Sequence, residues 1–553
     1  MNYLNEYEKW KGYDFLDQEL KEELVNITGD DKEIKERFIK LLEFGTAGLR
    51  GIIGAGTNRM NRFVVGLATQ GLSNVIKNAG GEERGVVIAY DSRKNSDLFA
   101  KEAAKVFAAN GIKVYLFDSL RPVPELSFAI RYLKTIAGVV ITASHNPYQY
   151  NGYKAYWEDG SQLPPDEAKK VFENMEKISI FDVKRAELSN PLINIIGKEI
   201  DEAFYEEVLK LRIRKDVNKD IKIIYTPFHG AGNIPVREVL KRAGFNNVIT
   251  VSEQEMPDPM FSTVKSPNPE DKEGFNIAME YAKKHNANLI LGTDPDCDRV
   301  GIVVLNKNGE FVCMTGNQVG VLLAHYILEG LKEQGKLPSD GAVIKSIVST
   351  KMVNYICEDF NVKMVDILTG FKYIGEKIKE YEKTNEHTFL FGFEESYGYL
   401  SGTHARDKDG VNASMLIAEM AAYYNEKGMT LYDAMENLYE KYGYFKEHVV
   451  SKSFSGLEGM EKIKNIIYNL RNNTPEKIGE FKIVKTIDYL NGVDSLPKAD
   501  VLRFELEDDT TIYIRASGTE PKIKGYIMVK ADTNKESEEK VNFYKNQLDI
   551  ILG

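Results

Sequence analysis

Short apolar runs rich in β-branched residues alternate with helical stretches along most of this chain. The runs fall into three groups, at 85–90, 112–117 and 137–141, then at 221–225, 247–251 and 288–292, and then at 342–346, 362–366 and 388–392. Runs this short, separated by helices of about 10 to 15 residues, are typical of parallel strands that are buried on both faces. The sequence therefore predicts three similar, doubly wound α/β units.

The pattern changes after about residue 440. Strands are expected near 444–455, 481–486, 499–506, 511–515 and 525–530, with helices near 457–471 and 533–551. This mixture predicts an α+β domain rather than a fourth doubly wound unit. We expect four domains, at 1–205, 206–320, 321–440 and 441–553. The tract 306–309 predicts a hairpin turn that adds an antiparallel pair of strands to the second unit.

Charge and composition argue against several classes of protein. The net charge of −11 is unfavourable for non-specific nucleic-acid binding, which depends on a basic surface. No run approaches the roughly 18 to 20 apolar residues of a membrane helix, and the first ten residues lack the pattern of a signal peptide. Three scattered cysteines form no disulfide framework and fit no zinc spacing. We expect a cytoplasmic protein with neither nucleic acid nor membrane as a partner; its oligomeric state is not readable from the sequence.

Unusual polar segments follow one strand of each α/β unit. They occupy residues 142–147, 293–299 and 393–398. Ligands of open α/β sheets bind beyond the carboxyl ends of the strands. One such segment in each unit predicts a single site to which all three units contribute.

Ser144 lies in the first of these segments, in a tight turn after an apolar strand. A hydroxyl presented at a sheet edge suits a nucleophile. Ser, Asn and Pro also favour turns for conformational reasons alone, so an ordinary strand-to-helix turn is the alternative. Lys154, ten residues later, could return an ammonium to the same cleft.

The second segment sets Asp294, Asp296 and Asp298 at alternate positions. This spacing in an extended loop points three carboxylates toward one centre, as a hard cation such as Mg²⁺ requires. A calcium EF-hand is disfavoured, because Arg299 and Leu305 stand where its glycine and glutamate belong. A solvated acidic turn is the other alternative.

Several segments suit a phosphorylated sugar. Residues 515–519, R-A-S-G-T, have the ingredients of a phosphate cradle, although a plain hairpin end would look similar. Arg50 among glycines suits a phosphate contact or an ordinary turn. Glu394 and Ser396 could bond sugar hydroxyls, and a charged loop follows at 404–408. Nucleotide-binding fingerprints, both the P-loop and the dinucleotide motif, are missing from the sequence.

Taken together and in this order, the segments resemble the α-D-phosphohexomutase family of phosphoglucomutases and phosphomannomutases. The likeness extends over nearly the whole chain and includes T-A-S-H-N-P, D-P-D-C-D-R, G-F-E-E-S-Y-G and R-A-S-G-T. It implies four domains around a central cleft, with three alike and the fourth distinct. It also implies that Ser144 is phosphorylated, and that it binds Mg²⁺ together with Asp294, Asp296 and Asp298.

The resemblance implies roles for further residues. Lys154 is similar to the family's general acid/base, with a pKa that cationic surroundings should lower, and Arg299 to the arginine beside the metal loop. Lys524 stands where many relatives carry an arginine. The residues expected to bind substrate are Arg50, His145, Thr369, Glu394, Ser396, His404, Lys408, Arg515, Ser517, Gly518, Thr519 and Lys524.

The activity implied is the interconversion of glucose 1-phosphate and glucose 6-phosphate, through a phosphoserine enzyme primed by glucose 1,6-bisphosphate. The form G-F-E-E-S-Y-G at 392–398 is closer to phosphoglucomutase-type members than to the shorter G-E-M-S-G of dual glucose/mannose enzymes. Mannose and pentose phosphates remain alternatives. A phosphatase is less favoured because hydrolysis needs no distal cradle, and a non-catalytic sensor because it needs neither nucleophile nor metal.

Overall fold

The computed structural model describes residues 2–45, 48–454, 456–494, 496–516 and 522–553. Four sheets follow one another along the described chain, with strands inside 49–196, 223–313, 341–401 and 444–531. The first three combine parallel and antiparallel strands with helices, and the fourth is antiparallel. The prediction of three α/β units followed by a different C-terminal domain is therefore confirmed, whereas the limits of the domains stay predictions.

The first unit is a six-stranded mixed sheet of order β1-β5-β4-β2-β3-β6. Its elements are α1 (Tyr3–Lys11), α2 (Gln18–Asn26), α3 (Asp31–Phe38), β1 (Leu49–Ile52), α4 (Arg62–Asn78), β2 (Val86–Tyr90), α5 (Ser96–Ala109), β3 (Val114–Phe117), α6 (Val123–Leu133), β4 (Ala137–Ile141), β5 (Tyr150–Trp157), α7 (Pro165–Met175), β6 (Ile193–Ile196) and α8 (Lys198–Lys210). Strands β2, β3, β4 and β6 are parallel, whereas β5 and β1 extend the sheet in antiparallel fashion.

Strand β2 shows why the parallel part of this sheet reads as a continuous apolar run. Val86 and Ile88 belong to the same hydrophobic cluster as the buried face of α5, whereas Val87 and Ala89 belong to the cluster that contains α6. Successive side chains of a strand point to opposite faces. Both faces of β2 are therefore buried, as the sequence predicted.

The second unit is a five-stranded sheet of order β11-β10-β9-β7-β8. Its elements are β7 (Ile223–Thr226), α9 (Asn233–Arg242), β8 (Val248–Thr250), α10 (Ser252–Glu255), α11 (Asn276–His285), β9 (Leu289–Thr293), β10 (Val300–Leu305), β11 (Phe311–Cys313) and α12 (Gly316–Glu333). Strands β10 and β11 pair antiparallel around the turn at 306–309, so the predicted hairpin is confirmed.

The third unit is a four-stranded sheet of order β13-β12-β14-β15. Its elements are β12 (Gly341–Ser346), α13 (Met352–Asp359), β13 (Lys363–Ile367), α14 (Lys372–Thr384), β14 (Thr388–Glu394), β15 (Gly398–Ser401), α15 (Gly410–Glu426) and α16 (Leu431–Tyr442). A tight turn joins β14 to its antiparallel partner β15, and this turn carries the third polar segment.

The C-terminal domain is an antiparallel sheet of order β16-β21-β20-β19-β18-β17. Its elements are β16 (Tyr444–Ser453), α17 (Gly456–Asn472), β17 (Lys477–Ile478), β18 (Phe481–Asp488), β19 (Val501–Leu506), β20 (Thr511–Ala516), β21 (Lys522–Ala531) and α18 (Asn534–Ile551). Across the described ranges, no helix combines the length and apolar character that a membrane crossing requires.

Shared hydrophobic clusters hold the units together. Val87, Tyr225 and Val343, from the first three sheets, all belong to one buried cluster. A smaller cluster joins Ile347 of the third unit to Tyr513 of the C-terminal domain. The four units are therefore packed against one another through buried apolar side chains.

Candidate active site

Ser144 lies just beyond β4, in a turn held by side chains. Its φ of +52° is in the left-handed region that residues other than glycine seldom adopt. Its N–H donates to Thr142 Oγ1 at 2.8 Å, and the residue is buried. Its Oγ donates to Oδ2 of Asp294, which follows β9 of the second unit, at 2.9 Å. The predicted nucleophile and the predicted metal loop are thus in direct contact.

Asp294, Asp296 and Asp298 form a buried cluster. Each offers a carboxylate oxygen, and these oxygens lie within 4.8 Å of one another. Among the described residues, Oδ1 of Asp296 and Oδ1 of Asp298 have no hydrogen-bond partner. Burying charged oxygens without partners is costly, and oxygen ligands are those that hard divalent cations prefer. The donor set therefore fits a divalent cation.

Two lysines partly neutralise this cluster. Lys154 Nζ lies 2.7 Å from Asp296 Oδ2, and Lys408 Nζ lies 3.1 Å from Asp298 Oδ2. Burial, followed by the neighbouring carboxylates, raises the pKa of Asp294 well above its usual value. Burial acts in the same direction on Asp298, but Lys408 and Lys154 outweigh it and hold the pKa of Asp298 below its usual range.

The pKa of Lys154 is raised, whereas a lowered pKa was expected from the sequence. Burial lowers the pKa of its ammonium, but Asp296 and Asp298 raise it by more, so the net shift is upward. The expectation of a lowered pKa is wrong for this arrangement, because the nearest charges are carboxylates rather than cations. The two carboxylates therefore favour the ammonium form of Lys154.

Arg299 lies beside the loop that carries the three aspartates. Its backbone N–H donates to Asp294 Oδ1 at 3.1 Å, and its Nη1 donates to Glu270 Oε1 at 2.9 Å. Its Nε lies 3.8 Å from Asp298 Oδ1. The guanidinium therefore lies between the carboxylate cluster and the cleft that it lines.

One cleft, with a volume of about 790 Å³, is lined by residues from all four units. Nine of the residues predicted from the sequence line it, namely Arg50, His145, Arg299, Thr369, Glu394, Ser396, Lys408, Arg515 and Lys524. Ser144, Lys154 and the three aspartates lie buried beside it. The predicted central cleft is therefore present, and most of the predicted residues meet there.

Glu394 and Glu395 are neighbours that both line the cleft but accept hydrogen bonds from different segments. Glu394 Oε1 accepts the backbone N–H of Gly370 at 2.7 Å, and burial, together with Glu395, raises the pKa of Glu394 to about 7. Glu395 Oε2 instead accepts a hydrogen bond from Ser346 Oγ at 2.9 Å. Glu394 therefore presents an acceptor with a raised pKa to the cleft, and Glu395, which lines the same cleft, also bonds Ser346 of β12.

The C-terminal domain contributes cations to the lining of the cleft. Arg515 on β20 and Lys524 on β21 are directly paired across the sheet, and both line the cleft. Burial lowers the pKa of Lys524. Lys522 on β21 and Lys372 on α14 of the third unit, which were not predicted from the sequence, also line the cleft. The predicted contacts Ser517, Gly518 and Thr519 lie outside the described residues.

His404 does not line the cleft, although it was predicted to bind substrate. Its Nε2 pairs with Asp409 Oδ2 at 2.7 Å, and its ring lies 5.9 Å from the ring of Phe204. Lys408, four positions later, reaches the cleft. Charged loop residues look alike in sequence, and only their packing separates those that face inward.

Sequence reasoning also missed the residues that support the Ser144 turn. Asp91 and Arg93 follow the carboxyl end of β2, and Arg93 donates to backbone carbonyls of the turn. The strand-end rule applied to Ser144 would have singled them out. Glu270, which bonds Arg299, lies in irregular chain before α11 and has no comparable signal.

Three family models cover most of the chain. Residues 41–180, 202–308 and 315–442 match the models described as phosphoglucomutase/phosphomannomutase alpha/beta/alpha domains I, II and III. A phosphoglucomutase from Staphylococcus haemolyticus (strain JCSC1435) is 37% identical over 517 residues, covering 91% of this chain and 93% of the relative. One from Staphylococcus aureus (strain MRSA252) is 37% identical over 527 residues, covering 93% and 94%.

Solved structures share the fold at lower identity. A putative phosphomannomutase from Thermus thermophilus superposes with a TM-score of 0.69 at 21% identity, covering 92% of this chain and 99% of that one. The open form of pp63/parafusin, a phosphoglucomutase from Paramecium, superposes with a TM-score of 0.69 at 16% identity, covering 92% and 95%. At these identities the superpositions show a shared fold and nothing about function.

Proposed function

Because the chain belongs to the phosphoglucomutase/phosphomannomutase family, we propose that it interconverts glucose 1-phosphate and glucose 6-phosphate through a phosphorylated Ser144. It is an intramolecular phosphotransferase of the isomerase class. The observation that carries the proposed mechanism is the 2.9 Å contact between Ser144 Oγ and Asp294 Oδ2, beside a cleft lined by four units.

The transfer uses groups that are already in contact. The bond between phosphorus and Ser144 Oγ breaks while a bond forms between phosphorus and a sugar hydroxyl. Lys154, which is protonated beside Asp296, donates a proton to the departing serine oxygen, and the hydroxyl proton restores Lys154. Mg²⁺ held by Ser144 and the three aspartates would neutralise charge on the phosphoryl oxygens. Arg299 adds a positive charge on the cleft side.

The cleft has separate places for the two ends of a sugar phosphate. Glu394 and Ser396 would hold sugar hydroxyls, while Arg515 and Lys524 would bind the phosphate that is not reacting. Transfer from Ser144 yields glucose 1,6-bisphosphate, which turns within the cleft and returns its other phosphate to Ser144. A phosphate-binding wall that recognises no particular sugar face accepts either orientation, and the bisphosphate would also prime unphosphorylated enzyme.

We favour glucose over mannose and pentose as the sugar of the substrate for two reasons. The two relatives with 37% identity are phosphoglucomutases, and the segment 392–398 has the form associated with such members. Phosphomannomutase or phosphopentomutase activity is the alternative, while a phosphatase or a sensor is less favoured. The cytoplasm is the proposed location, and a small sugar phosphate is the proposed partner.

The test follows both the enzyme and its products. Wild-type protein is incubated with labelled glucose 1,6-bisphosphate, and Ser144 is examined by mass spectrometry. Coupled assays with glucose 1-phosphate, mannose 1-phosphate and ribose 1-phosphate, each with and without Mg²⁺, are run beside a measurement of inorganic phosphate. We expect label on Ser144 and fastest turnover of glucose 1-phosphate with Mg²⁺. Phosphate release without isomer formation would indicate a phosphatase, and absence of label would overturn the mechanism.

A further inference from the structure

Arg93 is buried against the turn that carries Ser144. Its side chain has no exposed surface. One nitrogen, Nη2, donates to the carbonyl oxygens of Ser144 and Asn146. The other, Nη1, donates to those of Pro147 at 3.0 Å and Tyr150 at 3.1 Å. A single guanidinium therefore binds four backbone carbonyls of one segment.

Asp91 completes the support from the other side. Its Oδ2 lies 3.3 Å from Arg93 Nε and accepts a hydrogen bond from Thr142 Oγ1 at 2.6 Å. The same Thr142 oxygen accepts the N–H of Ser144 at 2.8 Å. Ser144 is therefore held at its N–H through Thr142 and at its carbonyl through Arg93.

We propose that Arg93 is a positioning residue for Ser144, fixing the turn so that the serine Oγ faces Asp294. This inference rests on the proposed function, in which Ser144 carries the phosphoryl group. A backbone in a sparsely populated conformation persists only where its surroundings over-determine it, and the φ of Ser144 is +52°. The bonds made by Arg93 and Thr142 supply that constraint.

Arg93 also contacts the second unit. Its guanidinium lies 5.0 Å from the centre of the Phe261 ring, and the same unit supplies Asp294. Lysine cannot replace it, because a single ammonium lacks the planar fork that reaches several carbonyls at once. A displacement of about 1 Å at a reacting group can cost about 100-fold in rate.

The experiment compares Arg93→Lys and Thr142→Val with Arg185→Lys as a matched control. Arg185 belongs to the same unit and pairs with the buried Glu102, and it does not line the cleft. Three quantities are measured for each protein: the melting temperature, kcat and KM for glucose 1-phosphate, and the rate at which Ser144 acquires phosphate from glucose 1,6-bisphosphate.

We expect Arg93→Lys to lower kcat and the rate of phosphate acquisition by about 100-fold. The loss in kcat should exceed any rise in KM, because Arg93 itself does not line the cleft, whereas Asn146, Pro147 and Tyr150, whose carbonyls it binds, do. Thr142→Val removes the contacts of the hydroxyl with Ser144 N–H, Asp91 and Asp296, and it should lower the same two rates by about tenfold or more. Arg185→Lys should lower the melting temperature alone.

Several outcomes would overturn the inference. Folded Arg93→Lys that acquires phosphate at the wild-type rate would do so, as would an equal loss in Arg185→Lys. If Arg93→Lys does not fold, Thr142→Val decides, and its wild-type phosphorylation rate would be the negative result. Failure of the wild-type protein to acquire phosphate at Ser144 would overturn the proposed function as well, so the two failures are distinguishable.

Discussion

Ser144 Oγ donates a hydrogen bond to Asp294 Oδ2 at 2.9 Å, although 150 positions separate the two residues in the chain. The serine belongs to the first unit and the aspartate to the second. The site therefore forms only when the first and second units are packed together. Both units contribute side chains to one buried hydrophobic cluster, which stabilises this packing.

Removing the hydroxyl should abolish turnover while preserving the fold. We expect Ser144→Ala to lower kcat by about 10⁴-fold or more, because the group that accepts the phosphoryl is lost. Ser73→Ala is the matched control, since Ser73 is equally buried but bonds only within helix α4. Near-normal turnover in Ser144→Ala would exclude a phosphoserine mechanism.

Cation binding should be measurable without any assay of activity. The unpartnered carboxylate oxygens of Asp296 and Asp298 predict that Mg²⁺ raises the melting temperature of the wild-type protein, because a ligand that binds only the folded state stabilises it. Asp296→Asn should reduce this rise. Asp433→Asn, in the capping box of α16, should retain it. A rise of equal size in Asp296→Asn would place the cation elsewhere.

The placement of Lys408 depends on a carboxylate shared between two units. Asp407 accepts hydrogen bonds from Lys408 Nζ at 3.0 Å and, from the first unit, from Tyr156 OH at 2.8 Å. We expect Asp407→Asn to raise KM for the sugar phosphate about tenfold, since the amide oxygen is a neutral and weaker acceptor for the Lys408 ammonium. Tyr156→Phe should give a smaller rise of the same kind.

The control for Tyr156→Phe is Tyr7→Phe, whose hydroxyl bonds Leu24 among the N-terminal helices. KM is measured at saturating Mg²⁺ for each variant. An unchanged KM in Asp407→Asn would show that Lys408 is oriented by Asp298 alone.

Glu394 should impose an acid limb on kcat/KM. Because burial and Glu395 raise the pKa of Glu394 to about 7, its carboxylate becomes protonated as the pH falls through that value. The neutral acid is a weaker acceptor for sugar hydroxyls, so kcat/KM should fall with an apparent pKa near 7. Glu394→Gln should be less active and lack this limb. Substrate phosphate, with a second pKa of about 6, titrates identically in both proteins, so only the limb near pH 7 is assigned to Glu394, and its persistence in the variant contradicts the assignment.

Glu447 on β16 should make the docking of the C-terminal domain depend on pH. Its Oε2 accepts a hydrogen bond from Asn317 of α12 at 3.1 Å, and burial raises its pKa from 4.5 to about 7 against the effects of Thr350, Asn317, Lys345 and Lys446. The folded protein therefore binds this proton more tightly than the unfolded chain. Its stabilising contribution is complete below pH 4.5 and is lost as the pH rises to about 7.

The loss amounts to at most roughly 3 kcal/mol of unfolding free energy. Glu447→Gln mimics the neutral form and should show none of it. Denaturant unfolding of both proteins across this pH range measures the difference, which should grow in favour of the variant as the pH rises. A difference that does not vary with pH would exclude an effect of Glu447 ionisation.

Local patterns were enough to predict the strands and the polar segments that follow them. A buried parallel strand is apolar on both faces. The strands at 137–141 and 289–293 can therefore be predicted from their own residues, without knowledge of the strands beside them. The antiparallel strands β1 and β5 were missed, because Leu49–Ile52 and Tyr150–Trp157 mix polar and apolar residues. Their pairing depends on the rest of the sheet.

The sequence by itself determined which side chains could perform the chemistry, since a hydroxyl after β4 and three alternate carboxylates after β9 are properties of short segments. Only the tertiary structure decided which charged neighbours take part. Lys408 reaches the cleft while His404 packs inward, and Asp296 and Asp298 raise the pKa of Lys154. The reason is physical: contact and burial set electrostatic energies, and both arise between residues that are distant in the chain.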